Sequence, residues 1–196
     1  MSATATNTLL WCLVSFLLGS LPFAVWLGRL AGVDPRTAGD ANPGTFNAWK
    51  VGGWQLGVPV LVLDFFKGAL PVGLARYTWG WEATSLVAVA LAPVLGHAFS
   101  PFLRGRGGKG LATTFGVWTG LTLAEGPLVM GAAIVVALLG LHLRDGWSLT
   151  FGLLALGVDL LLRYDFFPYL FIWILLSGWL LWAYRHELHL PLKKAI

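Results

Sequence analysis

The sequence predicts an all-α polytopic membrane protein of about seven transmembrane helices, with its N-terminus outside and its C-terminus cytoplasmic. Three observations carry this. Of the 196 residues, 57% are hydrophobic and only 11% charged, a balance foreign to a water-soluble domain of this length. Apolar stretches recur along the chain at or near the roughly 20 residues needed to cross a hydrocarbon core. The cations between them are unevenly shared. Arg29, Arg36, Lys50, Arg104, Arg106, Lys109, Arg144, Arg185, Lys193 and Lys194 fall on one side, and only Arg76 and Arg163 on the other. Retention of Lys and Arg in cytoplasmic loops produces such a split.

The spans are placed near 8–32, 51–78, 83–102, 111–124, 127–143, 147–163 and 166–184, several of them short or broken by glycine. Only Glu125-Gly126-Pro127 divides 111–143, so one long re-entrant pair stays open there. No internal repeat or long linker interrupts the chain, which predicts a single domain over 1–196. The formal net charge of +4 does not point to nucleic acid, because in a membrane chain cations gather at loops and orient helices. Cys12 is the only cysteine, which excludes an internal disulfide. No basic n-region or small-residue cleavage site precedes the first apolar run, so no cleaved signal peptide is expected.

The first cytoplasmic loop, 33–50, is rich in turn formers. Asn42-Pro43-Gly44 predicts a tight turn, after which Thr45 starts a helix with Asn47 and Lys50 on one face. Amide and cation then point together. An ordinary surface loop is the alternative, although Asn47 has no turn to explain it.

Asp64 and Lys67 interrupt an otherwise apolar span at i, i+3 spacing. Each charge near a helix centre costs about 2.5–3.5 kcal/mol even on lenient insertion scales, so the two are expected to pair and to face protein or a polar cavity. Gly68 beside them allows another backbone close. Whether the pair only pins helix packing or also meets substrate stays open at this point.

His97, in Leu95-Gly96-His97-Ala98-Phe99, ends the third span seven residues before the glycine-rich loop and is placed to approach the same vestibule. His186 ends the last span on the same side. Both are candidate bases, with helix-end hydrogen bonding as the alternative role. His142 and His189 are read as solvated.

Arg104-Gly105-Arg106-Gly107-Gly108-Lys109-Gly110 brings three cations and four glycines to the mouth of the apolar run from Leu111. Glycine amides can form a concave nest, and the helix start adds unpaired N–H groups and a positive dipole end. Phosphate is the expected anion, with Arg106 and Lys109 as countercharges. The alternative is a basic loop that anchors a helix end. A nucleotide P-loop is excluded, since Leu103 and Gly110 stand where that motif needs Gly and Ser or Thr.

Together these motifs resemble a family, the bacterial acyl-phosphate:glycerol-3-phosphate acyltransferases, the PlsY family. The resemblance runs through Gly19-Ser20-Leu21-Pro22-Phe23, the stretch from Gly39 to Asn47, the stretch from Leu63 to Val72, and Leu95 to Phe99. It continues through Gly107-Gly108-Lys109-Gly110-Leu111-Ala112-Thr113 to Arg185-His186. Seven spans, an outside N-terminus and a cytoplasmic site built from loop motifs are what it implies, in agreement with the charge split. The chain departs from the family where Asp40 replaces a Ser, Ala41 a Gly, Lys50 an Arg and Ala98 an Asn; Thr45-Phe46-Asn47 stands for Ala-Thr-Asn. A carboxylate at Asp40 opposes phosphate unless Lys50, Arg36 or Lys109 compensates.

The resemblance implies transfer of a fatty acyl group from acyl phosphate to glycerol 3-phosphate, giving lysophosphatidic acid, by a monomer in the plasma membrane. His97, Lys109 and His186 are the expected catalytic residues. Asn42, Gly44, Asn47, Lys50, Asp64, Lys67, Gly68, Arg106, Gly107, Gly108 and Gly110 are expected to hold the substrates and their phosphates. No cofactor or metal is expected. No His-x-x-x-x-Asp dyad exists, since Phe102, Trp147 and Pro191 stand five residues after His97, His142 and His186. A small-anion transporter and an inactive or altered-acceptor relative are the competing readings; the first lacks an internal repeat and a midplane site, and the second draws on Asp40 and Ala98.

Overall fold

Proline and glycine set where the apolar stretches break. In the computed structural model, residues 3–164 and 166–188 are described, and the elements among them are helical. Lys193, Lys194 and His189, named above, lie outside the described residues. The described chain falls into two compact units, Met1–Leu121 and Thr122–Ile196.

In the first unit, α1 (Ala3–Ser20) stops before Leu21-Pro22 and α2 (Phe23–Leu30) begins directly after. Pro22 disfavours helical backbone at Leu21 and brings no N–H of its own, so one apolar span becomes two helices. A single turn of 3₁₀ helix, Pro35–Thr37, is capped by Asp34, whose side chain accepts from the Arg36 N–H at 3.0 Å. The Arg36 guanidinium also bonds this carboxylate and holds it at about 2, well below the ordinary range.

Helix α3 (Thr45–Gly73) runs 29 residues and continues as a wider π turn to Thr78. It is not straight: Gly53 sits at φ 63°, ψ −162°, a conformation that a side chain would strain. The short piece before this bend carries the loop residues, and the long piece beyond it carries Asp64 and Lys67. Helix α4 (Ala83–Ala98) returns and ends in a 3₁₀ turn, Pro101–Leu103, before the glycine-rich loop. Helix α5 (Leu111–Thr122) follows.

The helices meet through glycine. In lipid no hydrophobic gain draws helices together, so packing depends on backbones approaching closely. A Cβ on Gly19 would collide with the Pro93 backbone, and one on Gly96 with Phe16, which locks α1 to α4. Gly68 meets the Thr113 carbonyl in the same way, and Gly116 meets Phe65, locking α3 to α5. Trp11 adds a hydrogen bond from its indole to the Pro71 carbonyl at 2.9 Å. Leu9, Leu13 and Leu17 stay exposed along one face of α1, as a lipid-facing stripe should.

In the second unit, α6 (Glu125–Val135) continues as a π turn to Gly140 and packs against α7 (Asp145–Arg163). After a π turn over Phe166–Leu170, α8 (Phe171–Ala183) packs on α7. Trp173 donates to the Leu153 carbonyl at 2.8 Å and covers Gly157. Arg163 bridges Asp159 at 2.8 Å and Glu125 at 3.0 Å, and Tyr164 donates to Glu125 at 2.7 Å.

The seven expected spans all coincide with helix. Five stretches of the described chain are long and apolar enough to cross a membrane: Ala5–Leu30, Thr45–Thr78, Ala83–Leu103, Asp145–Arg163 and Phe166–Ala183. The other two are shorter. Helix α5 has 12 residues and Glu125–Gly140 has 16, about 18 and 24 Å at 1.5 Å per residue. Their division falls at Leu123-Ala124, where Leu123 takes φ 57°, and not at Glu125-Gly126-Pro127. Those three residues form the first turn of α6, where a proline costs no hydrogen bond.

Candidate active site

Several buried polar residues of the first unit converge on one narrow cleft. It is lined by Ser20, Leu21, Pro22 and Phe23 at the α1–α2 break, Pro43 of the first loop, Asp64 and Lys67 of α3, His97 of α4, and Ser100, Leu103 and Gly108 beyond it. Each lining side chain follows from a local event in the sequence.

The Leu21-Pro22 break turns carbonyls out of helical register. The Leu21 carbonyl accepts from the Lys67 ammonium at 3.1 Å, and the Ser20 carbonyl accepts from the Ser100 hydroxyl at 2.6 Å. Lys67 also pairs with Asp64 at 2.8 Å, and both side chains are only 4% exposed. The Phe23 ring lies 5.8 Å from the ammonium. The expected buried pair therefore forms, shielded from lipid, with both members on the cleft wall. Gly68 does not line the cleft. Its place is the contact with Thr113, where its missing side chain lets α3 and α5 touch just behind Lys67.

The first loop folds back onto itself around a carboxylate. Gly39 and Ala41 both take positive φ, 57° and 60°, and turn Asp40 inward. Asp40 accepts from the Asn47 side-chain amide at 2.9 Å and from the Asn42 backbone N–H at 3.2 Å. Asn47, buried, spends its other donor direction on the Asn42 carbonyl at 2.9 Å. The remaining Asp40 oxygen meets Lys109 at 2.8 Å. Partial burial works against the Asp40 charge, but donation from Lys109, Asn42 and Asn47 outweighs it and keeps the carboxyl below its ordinary range. Of the three cations that could have compensated Asp40, the structure selects Lys109. Lys50 stands exposed beside Gly39 and Asn47, and Gly44 is the buried residue that starts α3.

The glycine-rich loop corrects one expectation. The amides of Gly107 and Gly108 do not form a nest for an anion: they donate to the carbonyls of Ala98 at 2.9 Å and His97 at 3.1 Å. The loop is thereby sewn to the end of α4. A side chain at Gly108 would overlap the His97 ring and crowd the Asn42 amide, so glycine there serves contact between loop and histidine. Gly110, at φ 84°, ends the loop, and its carbonyl accepts from the Thr114 N–H and hydroxyl at 2.8 and 2.9 Å as α5 begins. Arg106 is exposed and is not among the residues lining the cleft.

The structure thus sets Asp64, Lys67, His97 and Gly108 on one cleft and, beside it through the approach of Gly108 to Asn42, a cluster of Asp40, Asn42, Asn47 and Lys109; Gly44 and Lys50 belong to the first loop next to Asn42 and Gly39. His186 belongs to the second unit, exposed in the 3₁₀ turn Arg185–Glu187, and its candidacy rests on sequence alone. His142, read as solvated, is exposed. Sequence reasoning missed Ser100 and Phe23 as cleft residues. Ser100 precedes a proline at a helix end, and Phe23 follows one; both breaks were legible, but their facing each other was not.

Fold and site together define an integral membrane protein whose buried polar side chains gather in and beside a cleft at the loop ends of its helices. The sequence model of the glycerol-3-phosphate acyltransferase family matches residues 9–193. A glycerol-3-phosphate acyltransferase of Myxococcus xanthus is 41% identical over 88% of this chain and 90% of its own length. Another, of Thermotoga maritima, is 42% identical, with 60% of this chain spanning 59% of that protein. The crystal structure of PlsY (YgiH), an integral membrane glycerol 3-phosphate acyltransferase in its glycerol 3-phosphate form, superposes with a TM-score of 0.84 at 28% identity. That likeness covers 92% of this chain and 89% of the other, and the lysophosphatidic acid form gives 0.83. The chain belongs to the glycerol-3-phosphate acyltransferase family.

Proposed function

We propose that this protein transfers a fatty acyl group from acyl phosphate to the 1-hydroxyl of glycerol 3-phosphate, releasing phosphate and leaving lysophosphatidic acid. It acts as a monomer and a single domain, without a cofactor, in the plasma membrane, with N-terminus outside and cleft facing the cytoplasm. The observation that carries the reading is a cleft lined by Lys67 and His97 with the Lys109–Asn42–Asn47 cluster beside it, the two meeting at Gly108, in a chain of this family.

Both substrates bear phosphate. Lys109, Lys50 and the first-loop amides hold the phosphate of glycerol 3-phosphate, while Lys67 and the α5 start face the acyl phosphate. In the transfer step the acceptor oxygen bonds to the acyl carbon, and the bond from that carbon to the phosphate oxygen breaks. The hydroxyl proton passes to the departing phosphate, which is a better base than any carboxylate here. An acyl phosphate already carries a good leaving group, so positioning and charge stabilisation are enough. His97, buried at the cleft wall, orients the acceptor.

The test is purified protein in detergent with palmitoyl phosphate and glycerol 3-phosphate, following phosphate release and identifying the lipid product by mass. Lysophosphatidic acid formed only when both substrates are present is the expected result. Folded protein that releases no phosphate overturns the proposal, and transfer only to another alcohol moves the acceptor assignment.

A further inference from the structure

We infer that Asp40 is an internal anion that competes with phosphate-monoester substrate for the donors of the first loop and of Lys109. The inference rests on the function proposed above and concerns the cluster beside the cleft. Three donors from separate parts of the unit converge on this one carboxylate: the Lys109 ammonium at 2.8 Å, the Asn47 amide at 2.9 Å and the Asn42 backbone N–H at 3.2 Å. A cation, a side-chain amide and a backbone N–H aimed at a pair of oxygens are a recognition set for phosphate as much as for carboxylate. Part of the set is held without Asp40: Asn47 is fixed by burial in α3 and by its bond to the Asn42 carbonyl, and the residue before Lys109 is anchored by the Gly108 N–H on the His97 carbonyl.

The carboxylate can also leave. Its side chain is 47% exposed, against 19% for Lys109, and it sits on a turn with positive φ on both sides. Like charges cannot share these donors at contact distance, so a bound phosphate monoester and an inward Asp40 exclude each other. Asp40 therefore sets the concentration at which acceptor occupies the site and leaves the later chemical step alone. In kinetic terms, it raises KM for glycerol 3-phosphate and raises the Kd for any small phosphate, with little effect on kcat.

Asp40→Ser and Asp40→Asn test this in the full-length protein in detergent. The asparagine is the variant that keeps the fold: its one amide oxygen remains an acceptor for Asn42 and Asn47, while the charge and the acceptor facing Lys109 are removed. Titration with inorganic phosphate and with glycerol 3-phosphate, followed calorimetrically, should give binding about threefold to tenfold tighter in both variants, because a partly solvated ion pair is all that must be displaced. KM for glycerol 3-phosphate should fall by the same factor and kcat stay within about twofold. Unchanged or weaker phosphate binding in both variants overturns the inference. Weaker binding in Asp40→Ser with parental binding in Asp40→Asn also overturns it, by showing that Asp40 positions its donors. The phosphate titration needs no turnover, so a protein inert toward palmitoyl phosphate whose phosphate binding still tightens refutes the proposed function and upholds this one.

Discussion

Lys67→Met should unfold this protein more readily than almost any other single change in the first unit. The methionine matches the lysine stem in length but leaves the Asp64 carboxylate, 4% exposed, without its 2.8 Å partner. Removing one member of a buried pair costs about 3–5 kcal/mol, because the survivor stays charged in a medium that cannot solvate it. At roughly 2–4 °C per kcal/mol for a chain of this size, thermal unfolding followed by tryptophan fluorescence in detergent should shift down by about 6–20 °C. The double change Asp64→Leu with Lys67→Met removes both charges and should recover all but about 1 kcal/mol, the remainder being the lost bond to the Leu21 carbonyl. Turnover of that double variant then separates packing from chemistry: lost transfer in a restabilised protein assigns the pair a direct role. A single variant within about 1 kcal/mol of the parent would refute the reasoning, since Asp64 would then have to be neutral or otherwise compensated.

Lys109→Ala should lower transfer at least about tenfold, the least that a charged hydrogen bond of about 1.5–3 kcal/mol allows, and turnover within a few-fold of the parent would remove it from the site. Gly108→Val should be as harmful with the protein still inserted, because its side chain displaces the His97 ring; parental rates would show that the loop can lift away. With Cys12 replaced, cysteines at Thr37 and Lys194 should label from the cytoplasmic side and one at Gly80 from outside, and opposite labelling of Thr37 and Lys194 would break the odd span count. Asp40 titrates below the ordinary carboxylate range, so its charge is complete above that range and is lost only as pH falls through the lowered folded value. The profile of kcat/KM for Asp40→Asn should therefore keep the parental shape between about pH 5.5 and 8, and a moved inflection in that window would show that Asp40 titrates there.

Much of the fold was legible because lipid leaves the chain few choices. Apolar length fixed the helices, and charge spacing foretold the Asp64–Lys67 pair, which geometry at i, i+3 makes almost by itself. Proline and glycine marked the breaks, though Leu123, with no turn residue to announce it, carried one of them at positive φ. The site was legible as a set of residue types and less so as bonds. A run of glycines is equally good at cradling an anion and at letting two backbones meet, and Gly107 and Gly108 do the second. Nothing in the spacing between Asp40 and Lys109 reveals a partnership across nearly seventy residues, because it depends on α4 returning the chain to the first loop. His186 is the converse, a motif residue whose sequence context is clear and whose place in the chemistry only an assay can give.

The two bonds that tie off the Leu21-Pro22 break bear on fidelity. A helix that ends early leaves carbonyls that would ordinarily draw water; here Lys67 and Ser100 take them, and Ser20, Lys67 and Ser100 are all buried. Those carbonyls already have protein donors, which weakens their hold on water. On the function proposed above, an acyl phosphate held there would meet fewer waters in competition with the alcohol, although water is the commoner nucleophile by far. Shaving the hydroxyl from Ser100 would leave the Ser20 carbonyl to recruit a water molecule within reach of the donor. The enzyme would then keep its lipid product but begin to waste activated acyl groups as free fatty acid, a leak set by one hydrogen bond in the same cleft as Lys67.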